Sequence, residues 1–363
     1  MKFIPDSMPS QNKKPLHIVY LPDVTESLYI LNTLEALKAG GVKIYTWKKF
    51  KKLRYFFKVK IIHYNWIENL DYSSNAKYII SFIKKIIILV FLRICNKKIV
   101  WSLNNKISHD SKNKFLDKLI IIFCIMISNK IHILSNISAQ VIINYYRHVN
   151  KKKIFYIPHG NYIHNIKEYN IKEPGKKLKF IYFGLIRPYK NLELLIDTFN
   201  TLSNFADIDF ELEITGSCIS GDYIKKLTQL ADNNKITLHF DYIKDDELNT
   251  AIQSSDIAIF PFNITSALNS GTIMLAFSNK RTVIAPLIGT LQDIKDDIYY
   301  SYSYDNYEEH KNVLLNTILT VFNDYKNNME ILNFKGEQAY SHVDKNNNWE
   351  IIKNSYLNLY NSL

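Results

Sequence analysis

Phe183-Gly184-Leu185-Ile186-Arg187-Pro188-Tyr189-Lys190 places two cations three positions apart, just after a glycine that ends an apolar run. A glycine lets the backbone turn tightly where a strand stops. Arg187 then offers a planar fork for phosphate oxygens and Lys190 a point charge. Farther on, Asn269-Ser270-Gly271-Thr272 stands before an apolar helix. A helix start rich in Gly and hydroxyls presents free N–H groups and the positive end of the dipole, which suits an anion. The same tetrapeptide also serves as an ordinary cap. Together the segments supply cations and helix amides, the two things a diphosphate needs. Neither GxGxxG nor GxxxxGK[ST] occurs, which argues against a dinucleotide site and against an ATPase.

The elements that must position these groups alternate. Leu16–Leu21, Val42–Tyr45, Ile61–Tyr64 and Lys98–Leu103 read as strands, with helices expected after Thr25 and over Ser74–Ile94. The pattern restarts at Leu178–Phe183, with a helix over Asn191–Leu202 and a strand Phe210–Ile214 running into Gly216-Ser217. Ile236–Phe240, Ile257–Phe260 and Thr282–Ala285 continue it. Alternating strands and helices predict α/β architecture with parallel sheets covered on both faces. Two doubly wound, Rossmann-like domains follow, over 1–161 and 162–345, with a closing helix in 346–363. In such sheets ligands lie beyond the carboxyl ends of the strands.

Charge divides the chain in the same place. Residues 1–165 hold 27 basic and 8 acidic side chains, and residues 166–363 the other 19 basic and 26 acidic, so the overall +12 is a balance of +19 and −7. Hydrophobic residues at 47% and charged ones at 22% describe a globular chain, too apolar for disorder. Cys95, Cys124 and Cys218 are lone thiols without CxxC spacing, as expected of a reducing cytosol, and neither a disulfide framework nor a metal cluster is foreseen. Met1–Asp6 lacks the apolar core of a secretion signal. The longest apolar run, Leu119–Ile127, falls well short of the roughly 18 residues that span a bilayer.

Several short blocks in order carry a resemblance: Asn65-Trp66-Ile67-Glu68, Val100–Asn105 through Ser108-His109-Asp110, Ile157-Pro158-His159-Gly160-Asn161-Tyr162, Phe183–Lys190, and Thr282–Pro286 with Gly289. They resemble bacterial group 1 glycosyltransferases of the GT-B fold, which build surface polysaccharides. The likeness implies two domains facing a cleft, with a UDP- or GDP-sugar held by the C-terminal one and a glycan or lipid-linked acceptor by the N-terminal one. It implies no cofactor and no metal ion. Arg187 and Lys190 would then neutralise the diphosphate leaving group, beside Gly184. Ser270, Gly271 and Thr272 would hold it, Gly216 and Ser217 would line the cleft, and Tyr242 and Ile243 would lie against the base. His159 and Gly160 would stand near substrate.

Two departures from the family pattern stand out. Ala267 and Leu275 occupy places where many relatives carry glutamates, and Asn104 stands where this subgroup tends to have His. Asn has no basicity at neutral pH. The candidates for a catalytic base are therefore His109 and Asp110, ahead of Asp23 and Glu68.

Lys48–Lys60 carries seven cations, no acids and interleaved aromatics. An anionic membrane suits it better than nucleic acid, because no nucleic-acid motif accompanies it and a lipid-linked acceptor requires a peripheral position on the inner face of the cell membrane. The apolar stretches Ile83–Arg93 and Lys114–Lys130 are expected to be core helices with much of their surface buried. The leading expectation is a metal-independent hexosyltransferase. A sugar-nucleotide epimerase of the same fold and a non-catalytic glycan- or lipid-binding relative are the alternatives.

Overall fold

The computed structural model describes residues 15–106, 114–170, 172–203, 205, 209–231, 233–294 and 296–363. The N-terminal domain has six strands: β1 (His17–Leu21), β2 (Lys43–Tyr45), β3 (Ile61–Asn65), β4 (Lys98–Leu103), β5 (Lys130–Ile133) and β6 (Ile154–Tyr156). All pair in parallel, in the order β2-β1-β3-β4-β5-β6. The second sheet is built from β7 (Leu178–Phe183), β8 (Phe210–Thr215), β9 (Ile236–His239), β10 (Ile257–Ile259), β11 (Val283–Pro286) and β12 (Tyr300–Tyr302). It too is parallel, in the order β12-β11-β10-β7-β8-β9. Each order reverses once, between β1 and β3 in the first sheet and between β7 and β10 in the second. Crevices open at such switch points.

The central strands are mostly apolar because helices cover both faces. β3 and β4 of the first sheet and β7, β10 and β11 of the second are buried nearly throughout. Helices Tyr307–Asn327 and Ile331–Asn346, which sequence reading did not foresee, pack in the C-terminal domain through Leu314, Ile318, Val321, Leu332, Ala339 and Val343. The last helix, Trp349–Asn361, crosses back. Its Ile352, Tyr356, Leu359 and Tyr360 share a core with Ile18, Tyr20 and Ile30 of the N-terminal domain.

Beneath that helix runs a buried polar ladder. Tyr360 Oη lies 2.8 Å from His63 Nδ1, His63 Nε2 lies 2.7 Å from Ser102 Oγ, and Ser102 Oγ lies 2.8 Å from His132 Nδ1. His132 Nε2 donates to the Ile157 carbonyl over 3.0 Å. Parallel register sets Ser102 beside His132, and the ladder satisfies each buried polar group in turn.

The domains are stitched together by the segment after β10. Leu268 is fully buried and belongs to the N-terminal core that also holds Leu103 and Ile133. On either side of it, the Lys106 amide donates to Ser266 O (3.1 Å), Lys106 Nζ donates to Ile264 O (2.9 Å), and Asn269 Nδ2 donates to Asn104 O (3.1 Å).

The sequence expectation for residues 83–93 holds on one side of the helix, where Leu89 and Leu92 are buried and Ile86 and Ile88 pack against the core, and fails on the other. Helix Asn75–Ile94 buries Tyr78, Leu89 and Leu92 but leaves Ile80, Ile83, Ile87, Phe91 and Ile94 half or more exposed. These recur at i, i+3, i+7, i+11 and i+14, one stripe down the helix. The residues have the spacing of a core face, but among the described residues they stay half or more exposed, with Phe91 touched at its edge by Phe56. In helix Lys114–Ile127, Ile120, Ile121, Cys124 and Ile125 are buried, while Met126 is more than half exposed.

Candidate active site

The carboxyl ends of β7 and β8 fix the first half of the site. Gly184 takes φ +121° and Gly216 φ +150°, backbone that side chains rarely tolerate. A Cβ on Gly216 would come 1.8 Å from the Gly184 carbonyl oxygen, and one on Gly184 would lie 3.3 Å from Thr272 Cγ2. The two strand ends and the start of helix Gly271–Ser278 therefore converge only because both positions are glycine. Asn191, at φ +57°, turns the chain from Lys190 into the next helix, and its Nδ2 donates to the Pro261 carbonyl (2.9 Å). The loop after β7 is thereby tied to the loop after β10.

Lys190 lies 5.2 Å from the ring centroids of both Tyr189 and Phe262. Among the described residues no carboxylate pairs with it. Desolvation brings its ammonium down to about 8. Arg187, on the same loop, is half-buried, and its guanidinium likewise has no hydrogen bond or ion pair among the described residues.

Facing Lys190 is the helix start. Ser270 Oγ accepts from the Ile273 amide (3.3 Å) and shares a hydrogen bond with Thr272 Oγ1 (2.8 Å), while the Ser270 amide donates to Thr290 Oγ1 (2.9 Å). The amides of Gly271 and Thr272, in the first turn, have no partner within the helix. His159 and Tyr162 lie over Gly271, where a Cβ would meet Tyr162 Oη at 3.0 Å and His159 Nε2 at 3.2 Å. His159 Nδ1 donates to the Gly160 carbonyl (2.7 Å), which leaves the Nε2 lone pair turned toward that helix end. Burial holds its imidazole neutral, with the pKa lowered to about 4.

Tyr189, Lys190, His159, Tyr162 and Ser270–Thr272 line a cleft of about 270 Å³ between the domains, whereas Gly184, Arg187 and Gly216, singled out from sequence, lie outside its lining. The N-terminal domain contributes Ser27, Tyr29, Trp66, Asn104 and Asn105, with Trp66 held at φ +54°. The C-terminal domain adds Phe262, Asn263, Ala267 and Asn269 besides the residues above. Of the residues singled out from sequence, Lys190, Ser270, Gly271, Thr272 and His159 meet here. Gly160 is buried beneath the Trp349 ring, where a Cβ would come within 2.4 Å of the indole. Ser217 and Ile243 are half-buried and Tyr242 is 72% exposed, and these three lie outside the cleft lining. Asp23 accepts from the Trp47 amide (2.5 Å), and buried Glu68 accepts from Trp101 Nε1 (2.9 Å), so both carboxylates serve contacts within the N-terminal domain. Burial raises the pKa of Glu68. His109 and Asp110 lie outside the described residues.

Sequence reasoning missed Ser27, Tyr29, Trp66, Tyr189, Phe262 and Asn263 as cleft residues. Trp66 and Tyr189 sat inside quoted motifs. The others follow only from knowing which strand ends are neighbours. Among the described residues no group of three or more His, Cys, Asp or Glu side chains is placed to hold a metal ion.

Residues 165–277, which contain Gly184, Arg187, Lys190 and Ser270–Thr272, match the family model described as "Glycosyl transferases group 1". The whole fold is similar to the HepE protein of Anabaena, solved with UDP and glucose (TM-score 0.67, 12% identity, covering 96% of this chain and 100% of that one). It is also similar to a sucrose-phosphate synthase from Thermosynechococcus elongatus (TM-score 0.70, 15% identity, 96% and 99%). The C-terminal half carries a group 1 glycosyltransferase domain, and the chain has the GT-B fold. A GDP-mannose:glycolipid 4-beta-D-mannosyltransferase of Xanthomonas campestris pv. campestris is 29% identical over 126 residues, 34% of either chain. The match thus spans about a third of that relative's length. Within the GT-B frame the cleft described above is the one between the two facing domains.

Proposed function

We propose that the protein transfers a hexose from a UDP- or GDP-sugar to a glycan or lipid-linked acceptor in surface-polysaccharide synthesis. One observation carries this reading: an unpaired, desolvated Lys190 faces the free amides of Gly271 and Thr272 across a single cleft. Both groups await the same thing, an anion with several oxygens. As the acceptor hydroxyl attacks the anomeric carbon, the bond from that carbon to the diphosphate breaks and negative charge grows on the leaving oxygens. Preorganised amides and cations stabilise that charge without reorganising. Lys190, with Arg187 behind it on the loop, takes the place that a metal ion holds in other transferases. The hydroxyl proton passes to a base, which we assign to His109 or Asp110, three and four positions after Lys106 in the chain.

The acceptor side supports a membrane position. All seven cations of Lys48–Lys60 are exposed, and so are Leu53 and Phe57 among them. Phe56 meets Phe91 at a centroid distance of 6.2 Å, so this basic surface runs on into the uncovered stripe of helix Asn75–Ile94. Cations at about 1 kcal/mol each for anionic headgroups, beside apolar side chains at the interface, describe a peripheral protein. Among the described residues no helix is long and apolar enough to cross a membrane.

Thermal stabilisation by UDP, GDP, CMP and ATP, followed by a donor screen for the nucleoside diphosphate released, tests the reading. A shift with UDP or GDP that disappears in Lys190→Ala combined with Arg187→Ala supports it. No shift with any of the four refutes it.

A further inference from the structure

A second cavity, of about 450 Å³, opens in the N-terminal domain beyond the carboxyl ends of β1 and β3. This is where that sheet reverses its strand order, the place a doubly wound sheet offers a ligand. Its lining is amphipathic. Asp23 and Asn65 supply polar groups, Trp47 an aromatic face and Lys84 a cation, while the Lys85 ammonium is held by the Ile67 and Asn69 carbonyls. Tyr64 and Asn65 are more than nine-tenths buried, yet Tyr64 Oη and Asn65 Oδ1 have no hydrogen-bond partner among the described residues. Asp23 gives only Oδ2 to the Trp47 amide, and its other oxygen accepts nothing among the described residues. Unsatisfied buried polar atoms cost free energy unless a ligand or water meets them.

One wall of this cavity is helix Asn75–Ile94. Ser81, Lys84, Lys85 and Ile88 line it at i, i+3, i+4 and i+7. Each member of the exposed stripe Ile80, Ile83 and Ile87 immediately precedes one of those lining residues, so the two faces adjoin around the helix. A single helix thus shows one face to a polar pocket and the neighbouring face to whatever covers an apolar stripe. Asn65 lines this pocket and Trp66 lines the interdomain cleft, so consecutive residues, about 3.8 Å apart along the chain, separate the two sites.

We infer that this pocket binds the phosphosugar head of a lipid-linked acceptor, whose hydrocarbon chain leaves along the stripe of helix Asn75–Ile94 into the bilayer. Trp47 provides a stacking face for a sugar ring. Asp23 and Asn65 accept its hydroxyls, and the exposed Lys84 meets the phosphate. The next sugar then reaches past Trp66 toward the donor. The inference rests on the transferase reading for the acceptor's role, though not for the pocket's ligand class.

The test measures binding of a short-chain polyprenyl-diphosphate-linked hexose in neutral micelles to the full-length protein, with UDP and GDP binding read in parallel. Ser81→Trp fills the pocket, and Lys84→Glu reverses an exposed charge with little effect on folding. We expect each to weaken the lipid-linked probe at least tenfold while nucleotide binding stays within twofold, and the water-soluble hexose diphosphate to bind at least tenfold more weakly than the lipid form. Wild-type affinity in both variants overturns the site. Equal affinity for the soluble and lipid forms overturns the lipid path. Nucleotide binding without probe binding sinks this inference and leaves the transferase reading intact. Probe binding without nucleotide binding does the reverse.

Discussion

The ammonium of Lys190 lies 5.2 Å from the centroid of the Phe262 ring, so a residue of the loop after β7 is held by a residue of the loop after β10. Aromatic faces stabilise a cation without neutralising it. Lys190 is therefore positioned and still available to an anion.

Its titration gives the first prediction. The free ammonium titrates at about 8, and a bound diphosphate raises that value by favouring the charged form. Affinity for UDP or GDP is then level below pH 8 and falls as pH rises through 8 toward the pKa of the complex. Calorimetry between pH 7 and 9.5 reads the slope, and Lys190→Met abolishes it while weakening binding about tenfold, on the order of 1.4 kcal/mol. The same substitution removes a desolvated, unpaired charge. It raises the stability of the unliganded protein by roughly 1 kcal/mol, a trade of function against stability.

The two glycine positions separate binding from folding. Gly271→Ala puts a methyl 3.0 Å from Tyr162 Oη and 3.2 Å from His159 Nε2, a gap small shifts can open, directly over the helix amides. We expect it to cut nucleotide affinity at least tenfold while costing only about 1 kcal/mol of stability. Gly216→Ala drives its Cβ into the Gly184 carbonyl at 1.8 Å, with φ at +150°. Strain and overpacking together cost roughly 3 kcal/mol or more, read as a fall in urea midpoint.

Acid should loosen the molecule from inside. Burial lowers His132, His159 and His310 each to about 4, and His63 well below its ordinary value. The unfolded chain then binds protons that the folded chain refuses. Stability is full above pH 6.5 and declines as pH falls from 6.5 toward 4, by about 1.4 kcal/mol per pH unit for each group fully titrating in U. Melting temperatures across pH 7 to 4.5 measure the decline. His132→Asn starts lower at pH 7 yet has a shallower slope, and an unchanged slope contradicts the assignment.

Vesicle cosedimentation examines the membrane face. Ile83 and Ile87 are 50% and 61% exposed, so changing both to Glu leaves folding within about 0.5 kcal/mol. Binding to phosphatidylglycerol vesicles should fall at least tenfold. Equal binding of the wild-type protein to phosphatidylcholine vesicles would remove the electrostatic part of the proposal.

How much of this could be read beforehand depended on where the physics was local. Gly184 and Gly216 announce strand ends because their backbone demands are set within a residue or two, and Ser270-Gly271-Thr272 announces a helix start for the same reason. Helix Asn75–Ile94 was visible as a helix, but periodicity reports only that a side is apolar and not what lies against it, so its stripe was assigned to the core. The His63–Ser102–His132 ladder left no spacing signal, since three separate strands deliver one residue each and only register aligns them. Helices Tyr307–Asn327 and Ile331–Asn346 escaped because each rests on a few apolar residues set in long polar surroundings.

Leu268 carries a last consequence. It is encoded in the C-terminal domain, two positions before Ser270, yet it is anchored in the core of the opposite domain. Residues 162–345 prepared alone would present that leucine to water, and residues 1–161 alone would keep a hole of its shape. Grafting the C-terminal domain of a relative onto this N-terminal domain therefore succeeds only if the graft brings a plug that fits the socket Leu268 fills in this core.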